Sequence, residues 1–133
     1  MPIDPFLYAY VASEETYPDK AIIIEEGSTG YWVYVILDGQ AKVTQKTPEG
    51  VVVVDTLREG DVFGELVMFE KGEGTRSATV YANGTTRVGI LDTERLASEY
   101  NVLSPQLKEL ISALIARLKD MTRRASILSL RVH

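Results

Sequence analysis

The residues from Gly60 to Val80 carry the chemistry of this chain: Gly60-Asp61-Val62-Phe63-Gly64-Glu65-Leu66-Val67, a polar loop, then Arg76-Ser77-Ala78-Thr79-Val80. A glycine followed directly by an acid lets a backbone turn present free N–H groups beside one carboxylate. Downstream, an arginine opens an apolar, β-prone run. Free amides and an arginine meet the needs of one anionic phosphate. A lone carboxylate suits a sugar hydroxyl. The plainer alternative is a glycine turn joining two strands, with Arg76 an ordinary surface residue.

The remaining sequence says what positions these groups. Phe6, Tyr10 and Val11 stand at helical spacing, so a short helix is expected over Pro5 to Glu15, broken by Tyr17-Pro18-Asp19. From Lys20 to Leu91 short β-branched runs alternate with turn signals: Ala21–Ile24, Tyr31–Leu37, Ala41–Lys46 and Val51–Val54. Ala41 and Val43 alternate with Lys42 and Thr44 as in a half-buried strand. Asp38-Gly39 and Asn83-Gly84 are hairpin dipeptides, and Thr47-Pro48-Glu49-Gly50 suits a type I turn. At least six strands in this stretch indicate an all-β barrel or jelly roll rather than a parallel sheet. Asp92 then offers a helix N-cap, and Ser104-Pro105 a second start.

The motif resembles the phosphate-binding cassette of cyclic-nucleotide-binding domains, the family of the catabolite activator and the regulatory subunit of protein kinase A. Its match spans Phe63-Gly64-Glu65-Leu66 and Arg76-Ser77-Ala78, and the framework glycines Gly27, Gly30, Gly39 and Gly60 agree. The resemblance covers residues 5 to 122 and implies a mainly β fold: an antiparallel β-barrel or jelly roll (double-stranded β-helix, residues 20–91). An N-terminal helix and two C-terminal helices (residues 92–128) would flank it, within one domain over residues 1–133. The implied ligand is cAMP or cGMP. Arg76 would pair with the cyclic phosphate, helped by the Ser77 hydroxyl and by the N–H groups of a helix opening at Leu66 and Val67. Glu65 would accept from the ribose 2′-hydroxyl, and Ala78 would keep the strand close. By the same resemblance Thr122 would touch the adenine amine, with Arg123 standing where the activator has serine, which gives cAMP a modest preference. Val67 departs from the family's Ala or Gly, and Glu70 and Glu73 outnumber Lys71 in the loop.

Composition narrows the function classes. The 133 residues suffice for one domain with a real core, and no apolar run approaches a membrane span. There is no cysteine, and the one histidine is His133, so thiol chemistry, a Ser-His-Asp triad and a histidine-held metal are not expected. Residues 1–107 hold eight Lys/Arg against seventeen Asp/Glu, which disfavours DNA or RNA as a partner. We therefore expect a cytoplasmic binder, with no catalytic residues, metal or membrane. Gly72-Glu73-Gly74 lacks the Gly-Lys-Ser/Thr ending of a triphosphate loop, and Arg123-Arg124-Ala125-Ser126 matches a kinase motif only by its brevity.

The last segment carries a second pattern. Leu107, Ile111, Leu114, Leu118, Met121, Ala125 and Leu128 recur at alternating steps of four and three, a heptad seam. The seam packs on its own barrel or on a twin. The resemblance implies the twin, because activator-type regulators dimerise along this helix before continuing into a helix-turn-helix. Here the sequence ends at His133, so the expectation is a stand-alone homodimeric sensor that signals to a separate effector protein. The competing expectation is a degenerate module that kept the fold as an interaction surface and lost the ligand.

Overall fold

The computed structural model describes residues 5–64 and 75–132. After a four-residue helix α1 (Pro5–Tyr8), eight strands follow: β1 (Val11–Tyr17), β2 (Ile22–Ile24), β3 (Tyr34–Asp38), β4 (Ala41–Thr47), β5 (Gly50–Leu57), β6 (Val62–Phe63), β7 (Thr79–Ala82) and β8 (Thr86–Leu91). Two helices close the chain, α2 (Thr93–Asn101) and α3 (Pro105–Val132). The strands form two antiparallel four-stranded sheets ordered β1-β8-β3-β6 and β2-β7-β4-β5. The mainly β jelly-roll expectation stands, but the sheets do not close into one continuous barrel.

The alternation of β3 shows why the sheets stack. Tyr34 and Ile36 turn into the space between the sheets, where they join Ile24, Ala41, Leu57, Phe63, Val80, Val88 and Ile90. Val35 points the other way and is still buried, because Leu7, Tyr10 and Leu96 from the N-terminal segment and α2 cover that face. One strand thus serves two cores. Ile36 is fully buried, so Ile36→Ala removes contacts on a site with no solvent escape, at about 2–5 kcal/mol.

Three sequence expectations change. The helix expected over Pro5 to Glu15 stops at Tyr8, and Val11–Tyr17 pairs with β8 from Val11↔Leu91 to Tyr17↔Thr86. Backbone pairing with an available strand outweighs a weak helical spacing. Asp38-Gly39 and Asn83-Gly84 are turns, but not hairpins: each joins strands of opposite sheets. The two crossings lie side by side, with Asn83 N donating to Gln40 O (3.0 Å) and Thr86 Oγ1 to the same carbonyl (2.7 Å). Gly39 has φ of +95°, and a Cβ there would sit 2.7 Å from Thr85 O, so only glycine fits the crossing. The Thr47–Gly50 turn does close a hairpin, β4–β5, as expected.

Both closing helices start where the sequence placed them. Asp92 Oδ1 accepts from Arg95 N (3.1 Å), and Ser104 Oγ accepts from Leu107 N (3.1 Å). α3 continues to Val132, beyond the residue 128 expected, and packs on β5 and β4, with Leu118, Lys119 and Met121 at the cavity they border.

Candidate functional site

Arg76 is 7% exposed, and its guanidinium is fixed by the backbone around it. Nη1 donates to Gly64 O (3.0 Å) and Nη2 to Trp32 O (2.8 Å). Its main chain is held as well: Arg76 N donates to Ser28 O (2.8 Å), and Gly27 N to Arg76 O (2.9 Å). Two glycines make room for the fork. A Cβ on Gly30 would lie 3.2 Å from Nη2, and one on Gly64 would lie 2.9 Å from both Nη1 and Trp32 O. Gly64 also has φ of +79°, which a side chain would strain. The glycines read from sequence as turns are thus also the walls of an arginine slot.

Beside the slot is a cavity of about 440 Å³, within the range of small-molecule sites. Five of the residues singled out in the sequence, Phe63, Gly64, Arg76, Ser77 and Ala78, line it together. Phe63 stacks on Tyr34 with centroids 5.1 Å apart, which holds β6 against β3. Burial pushes the Tyr34 phenol pKa up, and the Arg76 charge partly opposes that shift. Gly60 and Asp61 tie the turn rather than facing the cavity: Ile36 N donates to Asp61 O, Gly60 N to Ile36 O, and Asp61 Oδ2 accepts from Arg58 N.

Glu65, Leu66 and Val67 lie outside the described residues, as do Glu70, Lys71 and the Gly72-Glu73-Gly74 loop. The backbone of Thr122 and Arg123 belongs to α3, while their side chains lie outside the described set. What α3 brings to the cavity among the described residues is Leu118, Lys119 and Met121.

Sequence reasoning named Thr122 and Arg123 on α3 but missed Gln45 beside the cassette, Val54 and Asp55 on β5, and the three α3 residues that line the cavity. Gln45 was within reach, since it continues the inward alternation of Ala41 and Val43. Its Nε2 donates to Ser77 O (3.2 Å), so it steadies the cassette from β4. The heptad seam divides. Leu118 and Met121 border the cavity although they are 51% and 55% exposed, while Leu107 and Leu114, 41% and 52% exposed on the single chain, lie outside it.

Among the described residues no group of three or more His, Cys, Asp or Glu is gathered for a metal, and no helix is long and apolar enough to cross a membrane. A buried arginine, an oriented turn and a cavity roofed by a helix can hold an anion attached to an apolar, flat group.

Comparison with known proteins places this geometry. Residues 14–101 match the family model of the cyclic nucleotide-binding domain. The cAMP-activated global transcriptional regulator CRP of Escherichia coli O157:H7 is 32% identical over 107 residues, covering 80% of this chain and 50% of the regulator. The chain thus spans about half the length of the curated regulators it matches. Among solved structures, the catabolite activator protein of Thermus thermophilus superposes with a TM-score of 0.68 at 25% identity, covering 93% of this chain and 57% of the other. The cAMP-bound form of the EAL enzyme Bd1971 shares the fold, with a TM-score of 0.76 at 21% identity over 90% of this chain and 32% of that one.

Proposed function

Since the chain belongs to the cyclic nucleotide-binding domain family, we propose that it is a regulatory sensor that binds a 3′,5′-cyclic purine nucleotide, cAMP ahead of cGMP, in the cavity beside Arg76. The observation that carries this reading is the slot itself. Arg76 is buried, held on two carbonyls and flanked by two glycines at the edge of a 440 Å³ cavity. A fork fixed in advance loses little freedom when a phosphate arrives. Glu65 takes the ribose 2′-hydroxyl in this reading, and the amides at Leu66 and Val67 share the phosphate with Ser77. Thr122 meets the adenine amine, beside Arg123.

The signal leaves through α3. Leu118, Lys119 and Met121 line the cavity, so a bound base adds contacts that hold the helix down. A second copy pairs along Leu107 to Leu128, and a separate effector protein reads the helix position. The chain acts in the cytoplasm, without DNA contact, membrane insertion or catalysis of its own.

Calorimetric titration with cAMP, cGMP and linear AMP tests the reading. Wild type is expected to bind the cyclic nucleotides and not the linear one. Arg76→Ala should lose about 30-fold to several-thousand-fold in affinity, since it leaves a desolvated phosphate without its counter-charge. No binding by wild type would leave the fold as an interaction module instead.

A further inference from the structure

The β4–β5 ladder changes register once. Val43 pairs with Asp55, but Thr44 pairs with Val53, so Val54 is an extra residue in β5. A bulge of this kind reverses which face the following side chains take. Antiparallel partners project to the same face. Val43 packs on the inner core, so its partner Asp55 also projects inward, and Val54 and Asp55 both line the cavity. Unbroken alternation would have sent one of them to the outside.

Asp55 stands at the wall away from the cassette. The strand order β7-β4-β5 puts two inter-strand spacings, roughly 10 Å, between the strand that follows Arg76 and the strand carrying Asp55. That span suits a nucleotide with its phosphate at Arg76 and its base at β5. The carboxylate is only partly engaged. Oδ1 accepts from Thr56 N (2.8 Å), and among the described residues Oδ2 accepts no hydrogen bond. Lys119 faces the same cavity from α3.

We propose that Asp55, turned into the cavity by the β5 bulge, is a specificity-determining residue that reads the 6-position of a bound purine and selects a 6-amino group. The inference rests on the reading that the cavity holds a cyclic purine nucleotide. An ionised carboxylate only accepts. Its remaining oxygen takes one donor from the adenine amine, whereas the carbonyl at the same place in guanine or hypoxanthine sets acceptor against acceptor. Asp55 is itself exposed where it borders the cavity, so the discrimination expected is that of one charge-assisted hydrogen bond made or lost rather than of a buried group left unpaired.

The test is calorimetric titration of wild type, Asp55→Asn and Asp55→Ser with cAMP, cGMP and 3′,5′-cyclic IMP, which carries a 6-oxo group without the 2-amine. Wild type is expected to hold cAMP about tenfold or more tighter than cyclic IMP. Asp55→Asn adds a donor for the 6-oxo group and should bring that ratio to about one or below. Asp55→Ser gives the same comparison should the amide variant unfold. If wild type binds and the ratio is the same in all three proteins, the assignment of Asp55 falls while the nucleotide reading stands. Preference of wild type for cGMP, lost in Asp55→Asn, overturns it too, since the carboxylate would then be reading the N1 and N2 donors of guanine. If wild type binds none of the three, the nucleotide reading fails and takes this inference with it.

Discussion

Arg76 and Trp32 are joined across 44 positions by a hydrogen bond of 2.8 Å from Nη2 to the Trp32 carbonyl. The same guanidinium holds Gly64 O, so one side chain fastens three separate segments at the edge of the cavity. The group that would hold the ligand is also a structural clasp.

This double role sets the effect of Arg76→Lys. An ammonium keeps the charge but not the planar fork, so one or both carbonyls lose their donor. We expect the variant to be roughly 1–3 kcal/mol less stable in urea denaturation and to bind nucleotide about tenfold or more weakly. Equal stability and affinity would mean the fork geometry is immaterial.

Gly64→Ala and Gly39→Ala separate site from fold. Both positions have positive φ and a close neighbour where Cβ would go, Arg76 Nη1 and Trp32 O for the first, Thr85 O for the second. Each should lower stability by roughly 1–3 kcal/mol. Only Gly64→Ala should also weaken nucleotide binding by more than its sibling, because only it displaces the guanidinium. The two variants are to be compared by melting and by titration.

Alkaline pH should loosen the protein through Tyr17. Burial, with a hydrogen bond to Glu15 (2.6 Å), raises its phenol above the ordinary 10. Above pH 10 the unfolded chain has lost this proton while the folded one keeps it, so the folded state binds more protons and stability falls as pH rises. Below pH 10 the contribution is fully present. Tyr17→Phe should flatten the decline measured by urea denaturation between pH 9 and about 11. Tyr34, raised by its own burial, keeps the slope from vanishing.

Leu114→Glu tests the proposed pairing of α3. Leu114 is 52% exposed on the single chain, so a charge there is harmless to a monomer and unfavourable in a closed seam. Light scattering should find wild type dimeric and the variant monomeric. A monomeric wild type at micromolar concentration refutes the pairing.

What was legible in the sequence was what local residue types specify. Gly64 and Arg76 announced a turn and an anion's counter-charge, because glycine favours positive φ and arginine carries a fork of donors; that the two meet in one slot depends on Trp32 and Gly30, distant in the chain. Asp92 and Ser104-Pro105 announced helix starts because capping is a local event. Asp38-Gly39 announced a turn but could not say which strands pair on either side, since that depends on residues 83–87 far along the chain. β1 was misread for the same reason: its run Val11 to Tyr17 has no clean alternation, and its partner lies at 86–91. The inward placement of Asp55 was hidden because Val51-Val52-Val53-Val54 shows no period in which a bulge would register.

The paired sheet crossings have a kinetic consequence. Among the described strands only β4–β5 pairs neighbours in sequence; β1 must wait for β8, β2 and β4 for β7, and β3 for both β6 and β8. Each of those closures costs chain entropy before any contact repays it. A nascent chain leaving the ribosome can pair only β4 with β5 and β3 with β6 among these strands, and neither sheet can be completed until residues 79–91 emerge. Assembly is therefore governed from its C-terminal half.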